Sequence, residues 1–88
     1  MTLRVTLSET AARQLRKPSS DERSRIARGL RVLEEDPFRP RPRADIRRIE
    51  ATDPRKYRIR TGDDGAVYAV VSRDVKVLVV FTGGQAYR

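Results

Sequence analysis

Lys56, Arg58 and Arg60 alternate with Tyr57, Ile59 and Thr61 in one short run, and Tyr87 stands next to the last residue. In an extended strand, residues two apart project to the same side, about 7 Å from one another. Arg58 and Arg60 are therefore spaced to share a phosphate, and each guanidinium fork can engage two oxygens at once. The Tyr87 phenol adds a ring on which a base could stack. A surface of this kind suits phosphate-rich RNA, and Arg47, Arg48, Lys56 and Arg88 read as further candidate RNA contacts. The plainer role of each is solubility for the cations and pinning of the tail for Tyr87. The chain has no histidine and no cysteine. Disulfides and thiolate metal sites are excluded, and the commonest metal ligand and the usual general base near neutral pH are missing. No metal and no cofactor are expected.

The charge balance supports a polyanionic partner. Lys and Arg number 20 against 12 acids, for a net charge of +8, and 17 of the cations are arginine. Such an excess draws nucleic acid, an acidic protein or an anionic surface. With 88 residues, 38% of them hydrophobic, the chain is read as one domain, 1–88, with a single modest core. No window approaches the roughly 20 apolar residues of a membrane span. Met1 leads straight into an alternating pattern rather than a signal peptide. A soluble, cytoplasmic protein is the expectation.

The elements that must position these residues can be read in order. Residues 2–7 alternate, with Leu3, Val5 and Leu7 facing a core, as a short first strand. Ser8 caps a helix running to about Lys17. After Pro18, Ser19 and Glu22 form a capping box for a second helix to about Glu35, whose Ile26, Leu30 and Leu33 share one face. Gly29 weakens that helix or permits close approach of another element. Asp36-Pro37 ends it, and 37–43 read as an extended basic linker. Ile46 and Ile49 mark a poorly patterned segment, an irregular strand at most. Strands follow at 56–61, 66–72 and 75–81, with turns at Gly62-Asp63-Asp64-Gly65 and Arg73-Asp74. The last strand is nearly all apolar and is placed at or near the centre of the sheet. The fold class is α+β: an N-terminal strand and a two-helix hairpin packed on one face of a small, mainly antiparallel sheet.

This order resembles the RelE/ParE superfamily, the toxins of type II toxin–antitoxin pairs. The resemblance spans nearly the whole chain. It rests on the Leu33-Glu34-Glu35-Asp36-Pro37 helix ending, the Ile46 to Glu50 approach to the sheet, and the block Tyr57-Arg58-Ile59-Arg60-Thr61-Gly62-Asp63 closed by Tyr68. The ending Ala86-Tyr87-Arg88 is most similar to archaeal RelE proteins. The resemblance implies a metal-independent, ribosome-dependent endoribonuclease, an mRNA interferase that inhibits translation by cutting messenger in the decoding site. The messenger's own 2′-hydroxyl would attack the adjacent phosphate. Arg58, Arg60 and Tyr87 fill catalytic positions, the arginines as charge stabilisers and Tyr87 as a stacking ring or proton donor. The implied partners are ribosome, mRNA and a cognate antitoxin, a small acidic protein that would cover the basic face. Lys56, Arg47 and Arg48 then read as contacts to RNA or to that antitoxin.

The pattern departs from the family at three positions. Gly65 and Gly83 stand where arginines are expected, and Gln85 replaces a further one. Each such cation is worth about 2–4 kcal/mol of transition-state stabilisation, so losing two lowers a rate by several orders of magnitude. Three readings follow: an attenuated or inactive toxin that keeps antitoxin binding, a toxin drawing its missing cations from Arg88 or Arg73, or a non-catalytic member nearer ParE acting on DNA gyrase. An engineered loss of toxicity would look the same.

Overall fold

The computed structural model describes residues 2–49 and 55–82. In chain order the elements are β1 (Arg4–Leu7), α1 (Glu9–Leu15), α2 (Ser20–Glu35), β2 (Asp45–Ile49), β3 (Lys56–Thr61), β4 (Asp64–Val71) and β5 (Asp74–Phe81). The five strands form one sheet in the order β1-β5-β4-β3-β2. β1 runs parallel to β5, and every other pairing is antiparallel. The helical hairpin carries the chain from one edge of the sheet to the other. A meander then walks back until β5 lies beside β1. The α+β architecture expected from the sequence is the one that forms.

Local chemistry sets the helix ends. Ser8 Oγ accepts the Ala11 N–H at 3.0 Å and donates to the Leu78 carbonyl at 2.8 Å, so one side chain caps α1 and ties it to β5. Ser19 and Glu22 form the reciprocal capping box of α2. At the other end the Asp36 carboxylate accepts the N–H groups of Phe38 and Arg39. Arg41 donates to the carbonyls of Val32, Asp36 and Arg39, which satisfies groups that a helix end leaves unpaired. The linker 37–43 is thus less open than its three prolines predict, and Arg41 is bridged to Ala44.

Ala11, Ile26, Leu30 and Leu33 of the helices pack on Ile46, Ile59, Ala66, Tyr68, Val75, Val77 and Val80 of the sheet. Ile46 is 2% exposed and sits in a regular strand, β2, where the sequence pattern promised only an irregular one. Pairing with β3 supplies the order that five mixed residues do not encode alone. Gly29 is required by contact: a Cβ there would lie 2.6 Å from Thr61 Cγ2. Of its two sequence readings, close approach is the one realised.

The first hairpin turn is tighter than the sequence implied, and the second is shifted. The β3–β4 loop is Gly62-Asp63 alone, with Gly62 at φ 71°, the left-handed start that two-residue hairpins favour. Asp64 and Gly65 belong to β4. The β4–β5 loop is Ser72-Arg73, one residue earlier than expected, with Ser72 at φ 56°. Between the β4 pairs of Val67 with Val79 and Tyr68 with Val77, Leu78 is the extra residue of a bulge in β5.

Candidate nucleic-acid interface

Strand parity sorts the cations onto two faces. Ile59 and Thr61 lie against Gly29 of α2. Lys56, Arg58 and Arg60 therefore project from the far face of the sheet, away from the helices. The β2–β3 register places Arg47 opposite Arg58 and Asp45 opposite Arg60 on that far face. The same register places Arg48 opposite Tyr57, on the helix-bearing face. The structure thus brings Lys56, Arg58, Arg60 and Arg47 together and leaves Arg48 on the other side. Tyr87, Arg88 and Gly83 lie outside the described residues.

The electrostatics of this face are unbalanced. Arg47 and Arg58 are cross-strand neighbours of like charge, an arrangement that destabilises a sheet unless an anion lies between them. Arg58 Nε is buried and has no hydrogen-bond partner among the described residues. Arg60 is exposed, with Nη2 only 3.4 Å from the Gly62 carbonyl, a long contact that leaves most of its donors available. Arg47 comes no nearer than 4.0 Å to Asp45 and is 74% exposed. Such a set can grip a phosphate with forked donors and offset charge developing on it.

Beneath the cations the far face is apolar. Val67 faces Arg58 across β3 and β4, Gly65 faces Arg60, and Ala69 faces Lys56. Val67, Ala69 and Phe81 are 2%, 5% and 7% exposed. Gly65 has no room for a side chain. A Cβ there would collide with the Ile59 carbonyl oxygen and lie 2.5 Å from Phe81 Cζ. The position at which the resemblance expects an arginine is closed in this chain by its own backbone and an aromatic ring.

Two residues belong to the other face and serve structure. Asp64, a turn residue by sequence pattern, is fully buried in β4, with Oδ2 3.3 Å from Arg25 Nη2 of α2. The signal for this was present: once the turn is taken as two residues, parity places Asp64 beside Thr61, facing the helices. Tyr68 is fully buried, donates to the Pro37 carbonyl at 2.6 Å and stacks on Tyr57 at 5.6 Å. Burial pushes its phenol well above the ordinary tyrosine range. Gln14 and Ser8 were also silent in the sequence as sheet contacts. Gln14 Oε1 accepts the Val80 N–H at 2.7 Å, and Ser8 holds the Leu78 carbonyl, so α1 serves backbone groups at the bulge. No run of residue types announces a bulge.

Among the described residues, no helix is long and apolar enough to cross a membrane. No group of three or more acids among them could hold a metal ion.

No protein-family model matches the chain, and no curated protein matches it significantly. Solved structures do. A chain of the archaeal RelE–RelB complex from Pyrococcus horikoshii OT3 superposes with a TM-score of 0.79 at 28% identity, over 98% of this chain and 100% of that one. A chain of the intact E. coli RelBE toxin–antitoxin complex superposes with a TM-score of 0.58 at 21% identity, over 92% and 96% of the two chains. Element order, sheet topology and the cation-bearing β3 are thus carried on a RelE-like toxin fold.

Proposed function

We propose that the protein is the toxin of a type II toxin–antitoxin pair and acts as a ribosome-dependent messenger endoribonuclease, single-domain over 1–88. The observation that carries this reading is the far-face cluster of Arg58, Arg60 and Arg47 on a RelE-like fold, with the Arg58 Nε donor unspent among the described residues. In the reaction, the 2′-oxygen of the messenger bonds to the adjacent phosphorus while the bond from phosphorus to the 5′-oxygen breaks. The 2′-hydroxyl loses its proton, and the departing 5′-oxygen gains one. Arginine stays protonated, so Arg58 and Arg60 stabilise the phosphorane rather than act as bases. Tyr87 serves as stacking ring or proton donor, and Lys56, Arg47, Arg48 and Arg88 contact RNA or antitoxin.

The partner in this reading is a small acidic antitoxin. The two similar structures named above are a RelE–RelB complex and a RelBE toxin–antitoxin complex, and the +8 charge favours an acidic partner here. Steric closure of Gly65 supports an attenuated enzyme, because that position cannot carry a phosphate-stabilising cation. Purified protein added to a translating extract tests the activity: new messenger 5′ ends should map within the codon held in the ribosomal A site. Intact messenger at high protein concentration, together with inhibition of gyrase supercoiling, would favour the non-catalytic ParE-like alternative.

A further inference from the structure

A second cationic feature lies at the end of β3, where α2 meets the β3–β4 turn. A groove of about 530 Å³ opens between α2, the segment 42–43 and the β3–β4 turn. Arg25, Arg28, Arg31, Arg43 and Arg60 wall it, and Gly29, Val32 and Pro42 supply apolar lining. Arg25 is committed to the buried Asp64. Arg28, Arg31 and Arg43 are exposed and make no ion pair or hydrogen bond among the described residues. Arg25, Arg28 and Arg31 follow one another at three-residue spacing on α2, where neighbouring like charges repel. Asp45 also lines the groove, and its nearest cation, Arg47, stands 4.0 Å away. The groove therefore concentrates positive charge that the described part of the fold leaves unanswered.

Arg60 is the link between the two surfaces. It projects from the far face beside Arg58 and also lines the groove at the Gly62 turn. An extended polyanion with charge at every repeat can lie in the groove, pass the turn and reach Arg58 without leaving arginine contact. A nucleic-acid strand has that regularity, and the guanidinium fork matches its phosphates. We propose that the groove of Arg28, Arg31 and Arg43 holds the backbone of an RNA strand that continues over Arg60 to the Arg58 face. The proposal rests on the reading of RNA as the substrate, and it adds a binding track outside the reacting centre.

The test is direct binding of the full chain, without ribosomes or cleavage. A fluorescein-labelled oligouridylate of about 12 nucleotides is followed by anisotropy across a range of salt. Each single-strand phosphate contact contributes roughly 0.7 to the slope of log K against log salt. The triple variant Arg28→Gln, Arg31→Gln, Arg43→Gln should lose about 2 from that slope and weaken binding at least roughly tenfold at low salt. The triple lysine variant should keep most of the slope, which separates lost charge from lost structure. Arg23→Gln, exposed on α2 outside the groove, should change neither quantity. An unchanged slope in the folded glutamine variant would overturn the proposal. So would a polyglutamate of equal charge that competes as well as the RNA with the same arginine dependence, because the groove would then be a site for an acidic protein. If messenger cleavage is absent but the groove still sets the slope, the nuclease reading falls and the RNA track stands.

Discussion

Arg58 occupies a position that costs the fold energy. It faces a second arginine across the strand pair, and its Nε is desolvated without a partner among the described residues. Neither feature helps the isolated fold. Arg58→Gln is therefore expected to leave stability unchanged or raise it by a few tenths of a kcal/mol while weakening oligouridylate binding. Urea denaturation and anisotropy on the same preparation measure both effects. Gly65 gives the opposite case. Gly65→Arg would restore the side chain that the family pattern expects, but the new Cβ meets the Ile59 carbonyl oxygen and the Phe81 ring. The variant should lose about 3 kcal/mol of stability through overpacking and gain no activity. A folded, more active Gly65→Arg protein would contradict this account of the site.

Elements carried by strong periodicity were legible, and elements that depend on partners were not. The capping box of α2 and its Ile26-Leu30-Leu33 stripe stand in the sequence as they stand in the fold. The alternation of β3 was equally clear, and with it the shared face of Arg58 and Arg60. β2 was obscure because its order comes from pairing with β3. The Asp64 contact was missed because a loop read as four residues hid strand parity that a two-residue turn reveals. The division of Arg47 from Arg48 needed the register, which no single strand encodes. The β5 bulge needed α1, whose Gln14 and Ser8 satisfy backbone groups there. Gln14→Ala leaves the Val80 N–H without that acceptor and should cost about 1–3 kcal/mol, read as a lower urea midpoint. Ser72 holds φ 56° without being glycine. Ser72→Gly should relieve that strain and raise stability by about 0.5–1 kcal/mol.

At the scale of the whole molecule, the net charge is +8, and two groups with shifted titration, Asp36 and Tyr68, tie stability to pH. Asp36 is held below the ordinary carboxyl value of 3.8, chiefly by the Phe38 N–H, with the Arg39 N–H and the charges of Arg39 and Arg41 outweighing a partial desolvation. Its contribution is complete above the unfolded value and is lost as pH falls through the lowered one. Tyr68 is raised above its ordinary value of 10.0, first by burial. Its contribution is complete below that value and is lost as pH rises through the folded one. Asp36 should therefore lower the denaturation midpoint as pH falls below about 4, and Tyr68 as it rises above about 10. In Tyr68→Phe the alkaline decline should be shallower, whereas an equally steep limb would show that Tyr68 does not carry it.

The claim at the centre of this account is that the far-face arginines cut messenger on the ribosome. Single-turnover cleavage on purified ribosomes, programmed with a defined messenger and an empty A site, measures it most directly. The intact chain should cut within the A-site codon, and Arg58→Ala with Arg60→Ala should slow the cut by at least roughly a hundredfold, as loss of charge-stabilising donors does. Cleavage at an undiminished rate in the double variant, or no cleavage by the intact chain at saturating concentration, would contradict the account.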